Sequence, residues 1–114
     1  MDATQMILLY DYYGELLTKR QRECFELRYN QDLSLGEIGE ELGISRQGVY
    51  DNLSRTEALL QRMEEKTGCV RRDLQCRSAA RQIEKAAKEL SGYQDTTVAD
   101  LAQQILCAVA DLEE

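Results

Sequence analysis

Apolar residues along most of the chain recur at intervals of three and four positions, the spacing that gathers them on one face of an α-helix. The first such stretch predicts a helix that starts at Asp2 or Thr4 and ends at Leu17. Its inward-facing positions are Met6, Leu9, Tyr10, Tyr13, Leu16 and Leu17. We interpret the tyrosines of this helix as packing residues with solvated hydroxyl groups rather than as a base-stacking surface.

Local signals in the central part of the chain mark where the next helices start and end. Three side-chain caps predict the starts of helices two, three and four. They are Thr18 with Gln21, Ser34 with Glu37, and Ser45. The predicted helices cover residues 19–29, 35–42 and 46–67. Gly43 and Gly68 stand where the third and fourth helices should end, because glycine adopts the left-handed conformation at little cost.

Two more helices are predicted beyond Gly68. The fifth covers residues 69–90, and its small apolar side chains would permit close helix packing. They are Cys76, Ala79, Ala80, Ile83, Ala86, Ala87 and Leu90. Thr97 with Asp100 predicts the start of the sixth helix, whose apolar stripe is Val98, Leu101, Ala102, Ile105, Val109 and Leu112. The two apolar faces are complementary, so these helices could close on each other as a hairpin or pair with a second copy of the chain.

The composition supports an all-α fold. The chain has 114 residues, 43% of them apolar, and it contains no proline, the residue that most often interrupts a helix. We predict a helix–turn–helix domain with its N-terminal helix over residues 1–67 and a C-terminal helical pair over residues 68–114. Together they should form one structural unit, since the chain has the length of a single domain.

The segment EELGISRQGV, at the centre of SLGEIGEELGISRQGVYDNLSRTEALL (residues 34–60), has the form of a helix–turn–helix. A small residue, Gly39, stands where the two helices should cross, and Gly43 makes the turn. The apolar residues that would brace the pair from beneath are Ile38, Leu42, Ile44, Val49 and Leu53. Because these positions and the serine cap follow one another in the order that the motif needs, a helix–turn–helix is predicted here.

The segment from Leu16 to Leu60 resembles region 4 of bacterial sigma factors. With LLYDYYGELLT (residues 8–18) in front of it, the chain is similar to the YlxM family of small bacterial proteins. The resemblance implies a helix–turn–helix protein with a DNA-binding or regulatory role and a link to the signal recognition particle pathway. It does not extend past about Gly68, so it implies nothing about the last two helices.

The geometry of an α-helix indicates which residues of the fourth helix would meet a nucleic acid. At about 100° per residue, the predicted inner face is Val49, Leu53, Thr56 and Leu60. The opposite face and its flanks supply five candidate base contacts. They are Arg46, Gln47, Tyr50, Ser54 and Arg55. Arginine pairs well with guanine and glutamine with adenine, and the first residues of this helix normally meet the base edges.

The charge distribution argues against strong DNA binding. The formal net charge is −7, and residues 33–66 hold four basic side chains against seven acidic ones. Because phosphate neutralisation supplies most non-specific affinity, DNA should be bound weakly or conditionally. Lys19, Arg20 and Arg22 are the candidate phosphate contacts. The basic fifth helix could be a solvated face, a partner for the acidic segment after Tyr93, or a nucleic-acid patch.

Other classes of function find little support in the sequence. The chain has no histidine, no phosphate-binding glycine loop and no nucleophile beside a base, so we expect neither an enzyme nor a cofactor or metal site. The four cysteines lack zinc-site spacing and are expected to be buried and reduced. No signal peptide or membrane span is evident, which predicts a cytoplasmic protein.

Two hypotheses about function therefore remain. The first is a regulatory DNA-binding protein, expected to be a homodimer, with the last two helices pairing either within one chain or between two. The second is an adaptor whose helix–turn–helix binds a protein or ribonucleoprotein of the secretion-targeting or transcription machinery, because an acidic chain suits a basic protein better than bare DNA.

Overall fold

The computed structural model of the protein describes residues 2–112, and within that range every regular element is a helix. The predicted all-α fold is therefore confirmed. In chain order the elements are α1 (Ala3–Tyr13), a 3₁₀ turn (Gly14–Leu16), α2 (Lys19–Tyr29), α3 (Leu35–Leu42), α4 (Arg46–Thr67), α5 (Cys69–Ser91) and α6 (Thr96–Leu112). The chain divides between Val70 and Arg71 into two compact units, here called the N-terminal and C-terminal units.

The N-terminal unit has two clusters of buried apolar side chains. The first cluster packs α1 and α2 against the later turns of α4, and the start of α5 adds Val70. Its buried members are Met6, Leu9, Tyr13, Leu17, Phe25, Leu60 and Val70. The second cluster lies beneath α3 and the first turns of α4 and is built from Cys24, Ile38, Val49 and Leu53. Full burial of each large side chain contributes roughly 1.5–3 kcal/mol, so these clusters fix the position of α4.

The tyrosines of α1 pack as predicted, but their hydroxyl groups are not simply solvated. The ring of Tyr10 stacks on Phe25 with their centroids 4.3 Å apart, and its hydroxyl donates to Glu26 Oε1 at 2.7 Å. Burial, together with the nearby Glu26 carboxylate, raises the pKa of Tyr10 to about 12. On the other side of Phe25, the ring of Tyr29 stacks at 4.3 Å and its hydroxyl donates to Glu57.

Tyr13 fastens α1 to the end of α4. Its hydroxyl donates to Glu64 Oε1 at 2.6 Å and lies 2.6 Å from Thr67 Oγ1. The same Glu64 oxygen accepts the backbone N–H of Val70 at 3.0 Å. Burial, with the Glu64 carboxylate beside it, raises the pKa of Tyr13 above its ordinary value. Glu64 therefore joins α1, α4 and the start of α5.

The first helix ends earlier than its apolar pattern predicted. The α-helical conformation stops at Tyr13 and continues only as the 3₁₀ turn, so Leu16 is 70% exposed instead of facing the core. Tyr13 already departs from α-helical geometry, with φ −114° and ψ −2°, and the backbone becomes extended at Leu17, immediately before the cap of α2 at Thr18. Leu17 follows in an extended conformation and is buried as predicted.

In the C-terminal unit, α5 and α6 form an antiparallel hairpin joined by four residues. Leu112, at the end of α6, lines the same groove as Cys76 and Ile83 of α5. The side chains buried between the helices are small and are Ala80, Ala87, Ala102 and Val109. The predicted cap of α6 is wrong: Asp95, not Thr97, accepts the backbone N–H groups of Thr97 and Val98, at 2.8 and 3.3 Å.

Two expectations about buried side chains are also wrong. Cys24 is buried, but Cys69, Cys76 and Cys107 are exposed. Cys76 and Cys107 are exposed because the hairpin has too narrow a core to enclose both sides of its helices. Leu101, Ile105 and Leu112 of the predicted α6 stripe are exposed for the same reason, at 54%, 38% and 73%.

Candidate nucleic-acid interface

The turn between α3 and α4 has the geometry that the glycine pattern predicted. Gly43 adopts the left-handed conformation, with φ 70° and ψ 32°, and the N–H of Ile44 donates to Gly39 O at 3.0 Å. At Gly39 the backbone passes so close to the turn that an added Cβ would lie 2.7 Å from Ile44 O. Only glycine fits this contact without a shift of the backbone.

A serine cap then sets the start of α4. The Ser45 hydroxyl accepts the N–H of Gly48 at 3.0 Å, which satisfies a donor that the helix itself leaves unpaired. Four residues at helical spacing are buried against the unit, as the helical projection predicted. They are Val49, Leu53, Thr56 and Leu60. The opposite face of the first turns of α4 is consequently turned away from the core.

All five candidate base contacts are exposed on that outer side of α4. They are Arg46, Gln47, Tyr50, Ser54 and Arg55. The exposed fraction of Tyr50 is 54%. The surface is not purely basic, since Asp51 lies one turn after Gln47 and accepts a hydrogen bond from its Nε2 at 3.0 Å. This bond holds the Gln47 amide along the helix.

The three basic residues at the start of α2 are exposed, but they do not form one cluster. Lys19 is 87% exposed at its side chain and only 4.0 Å from Glu23, a distance at which a surface ion pair contributes little. Arg20 Nη1 donates at 3.3 Å to Leu42 O at the C-terminal end of α3. The guanidinium of Arg20 therefore lies beside the helix–turn–helix.

Arg22 is directed elsewhere. It lines a small depression together with Tyr10 and Glu26. No residue of α4 lines this depression. The structure thus separates Arg22 from the outer face of α4, whereas Arg20 stays near the turn.

A second depression joins α2 to the candidate surface. It has a volume of about 400 Å³ and is lined by Thr18, Gln21, Gly48, Asp51, Asn52 and Arg55. The capping box of α2 forms one wall, where Thr18 and Gln21 hydrogen-bond to each other's backbone at 2.9 and 3.2 Å. Arg55 is the one predicted site residue in this lining.

The sequence did not point to Thr18, Gln21 or Asn52 as residues of the site. Thr18 and Gln21 were recognisable only as a helix cap, and their place opposite α4 depends on tertiary packing. Asn52 lies between the inner and outer faces of α4, and its Oδ1 is buried without a hydrogen-bond partner among the described residues. A buried amide oxygen without a partner is uncommon, but because the atom is buried it does not belong to the exposed outer face of α4.

Comparisons with known proteins agree with this architecture. The UPF0122 family, described as "Putative helix-turn-helix protein, YlxM / p13 like", matches residues 1–101. The chain belongs to this family. A UPF0122 protein of Acetivibrio thermocellus is 57% identical over 83 residues, which is 73% of this chain and 71% of the relative. One from Thermoanaerobacter sp. (strain X514) is 54% identical over 84 residues, covering 74% of this chain and 72% of the relative.

The UPF0122 assignment confirms the predicted resemblance to the YlxM family and the presence of a helix–turn–helix. The match also includes most of the C-terminal hairpin, which the sequence resemblance had left aside. Across residues 2–112, the helices are all too short or too polar to cross a bilayer. Over the same residues, no three cysteine, aspartate or glutamate side chains are grouped as a metal site would require.

Proposed function

We propose that this UPF0122 protein is a DNA-binding regulatory protein that reads duplex DNA with the first two turns of α4. The observation that supports the proposal is the two-sided character of that helix. Four residues of α4 are buried in the unit, while five with base-reading or phosphate-binding chemistry are exposed on the outer side. A capped second helix of this kind fits the width of the major groove.

The proposed contacts follow from the position of each side chain. Arg46 and Gln47, in the first turn, would meet base edges, since arginine pairs with guanine and glutamine with adenine. Tyr50 would contact a thymine methyl group or a phosphate. Ser54 and Arg55 would continue the surface toward the depression that α4 shares with α2.

Phosphate contacts are assigned to α2. Lys19 and Arg20 lie at its start, and the Arg20 guanidinium is beside the turn. Arg22 is the weakest of the three proposed contacts because it lines a different depression. With two or three phosphates neutralised, the slope of log K against log salt would be roughly −2 to −3. Such a small slope fits weak or conditional binding by a chain of net charge −7.

The test begins with enrichment of duplexes from a random pool at low salt, followed by titration of the recovered duplex. We expect the doubly substituted variant Arg46→Ala with Gln47→Ala to bind at least tenfold more weakly, since each good base contact is worth about 1–3 kcal/mol. Arg81→Ala is the matched control, because it removes one exposed positive charge from the C-terminal unit. An equal loss of affinity in the double variant and in Arg81→Ala would contradict the assignment of DNA binding to α4.

A second candidate function is favoured by the charge of the chain. An acidic protein associates more readily with a basic protein surface than with bare phosphates, so the same face of α4 could serve an adaptor. The YlxM resemblance suggests partners in the signal recognition particle pathway or the transcription machinery. Co-purification from cells, with and without nuclease, separates the two functions. A partner that stays bound after nuclease treatment favours the adaptor, and a partner that is lost favours nucleic-acid binding.

A further inference from the structure

The C-terminal hairpin has a second apolar seam beside the one that joins its helices. On α5 this seam repeats at alternating intervals of three and four residues, the heptad spacing of helix–helix contacts. Its members are Cys76, Ala79, Ile83, Ala86 and Leu90. All five are exposed, and the larger two, Ile83 and Leu90, are 45% and 39% exposed.

The same spacing recurs on α6. Leu101, Ile105, Ala108 and Leu112 are also separated by four, three and four residues, and each is exposed. On both helices this outer seam is rotated in the same direction, by roughly 40–120° at 100° per residue, from the residues buried inside the hairpin. In an antiparallel pair, equal rotations about the two helix axes point to the same side. The two outer seams therefore form one continuous apolar face.

The groove in this unit agrees with that geometry. It has a volume of about 600 Å³, and its lining includes Cys76, Ala79 and Ile83 from α5 and Leu112 from α6. The two seams are also similar in length, about 21 Å from Cys76 to Leu90 and about 17 Å from Leu101 to Leu112 at 1.5 Å per residue. Ile83 and Ile105 lie eight and nine residues from the ends of the connecting turn, so they stand at the same level.

We propose that this face binds the same face of a second copy of the chain, forming a four-helix bundle in which each α5 packs against the partner's α6. A two-fold axis parallel to the helices produces this arrangement and makes all neighbouring helices antiparallel. Ile83 of one copy then meets Ile105 of the other at the centre of the bundle.

Two features favour a second copy as the occupant. The hairpin by itself buries only three alanines and one valine among its described apolar residues, a core too small for two long helices, whereas a bundle of four would enclose both seams. The charges are also complementary. Helix α5 has a formal charge of +3 and α6 has −2, so pairing α5 with the partner's α6 brings opposite charges together, and pairing α5 with α5 would not.

The test measures the mass of the full chain in solution by sedimentation equilibrium over a range of concentrations. We expect the unmodified protein to associate to twice its 13.1 kDa. Ile83→Lys with Ile105→Lys should return it to the monomer mass while circular dichroism shows that the helices persist. Ser78→Lys with Gln103→Lys is the matched control, because it adds the same charge at exposed polar positions outside the seam and should leave the dimer unchanged.

If the lysine variant loses its helices, Leu101→Ala with Ile105→Ala provides the second measurement, since alanine preserves helix propensity. It should weaken the dimer at least tenfold. An unmodified chain that stays monomeric throughout, or a dimer that neither seam variant weakens, would overturn the proposal.

Discussion

Substitution of Gly39 by alanine tests the geometry on which the candidate interface depends. The new Cβ would lie 2.7 Å from Ile44 O, a backbone atom that cannot rotate away, so the turn between α3 and α4 must shift. Overpacking of this kind costs about 1–3 kcal/mol, and replacing a helical glycine returns about 0.5–1 kcal/mol. The difference leaves a loss of roughly 0–2.5 kcal/mol, and because the contacted atom belongs to the backbone we expect Gly39→Ala to lower the free energy of unfolding by about 1–2 kcal/mol.

Gly36 is the matched control on the same helix. A Cβ there would meet only Ser34 Oγ, at 4.0 Å, so Gly36→Ala should leave stability unchanged or raise it by up to about 1 kcal/mol. Urea unfolding followed by tyrosine fluorescence measures both variants. The signal reports mainly on the N-terminal unit, which holds every tyrosine except Tyr93. A Gly39→Ala protein as stable as Gly36→Ala would refute the close approach of α3 to the turn.

Three further predictions concern buried groups. Tyr13→Phe removes the 2.6 Å bond to Glu64 and should cost about 1–2 kcal/mol, measured by urea unfolding. Tyr10 and Tyr29 have pKa values raised to about 12 by burial and a neighbouring carboxylate. Because folding favours the neutral form of both phenols, the two tyrosines should stabilise the fold fully below pH 10, and this stabilisation should fall as the pH rises toward 12. Ultraviolet absorbance, which detects the ionised phenol, follows their titration. The buried Cys24, with its pKa raised, should react with a thiol reagent only on unfolding, unlike the three exposed cysteines.

Features set by neighbouring residues were predictable from the sequence. The caps at Thr18, Ser34 and Ser45 and the turn at Gly43 each depend on a few consecutive side chains, and the structure confirms them. The end of α1 was not predictable from periodicity, because the apolar stripe continues to Leu17 while the backbone leaves the α-helical conformation at Tyr13.

In the candidate site too, the features set within one helix were predictable and those set by packing between helices were not. Helical projection placed the outer face of α4 correctly, since one helix fixes the direction of its own side chains. The bond from Arg20 to Leu42 O, the separate direction of Arg22 and the depression containing Asn52 all depend on how α2 packs against α3 and α4. No spacing within one helix indicates contacts of that kind. The apolar positions of the hairpin's outer seam were likewise evident from the sequence, but their exposure to solvent was not.

Mapping backbone amide chemical shifts would reveal whether the outer face of α4 is the surface that meets nucleic acid. Isotope-labelled full chain would be titrated at low salt with the enriched duplex and with a scrambled duplex of equal length. We expect the enriched duplex to shift amides across residues 46–55 and 18–22 more strongly than the scrambled one. Shifts confined to α5 and α6, or an undisturbed segment 46–55 at saturation, would contradict this expectation.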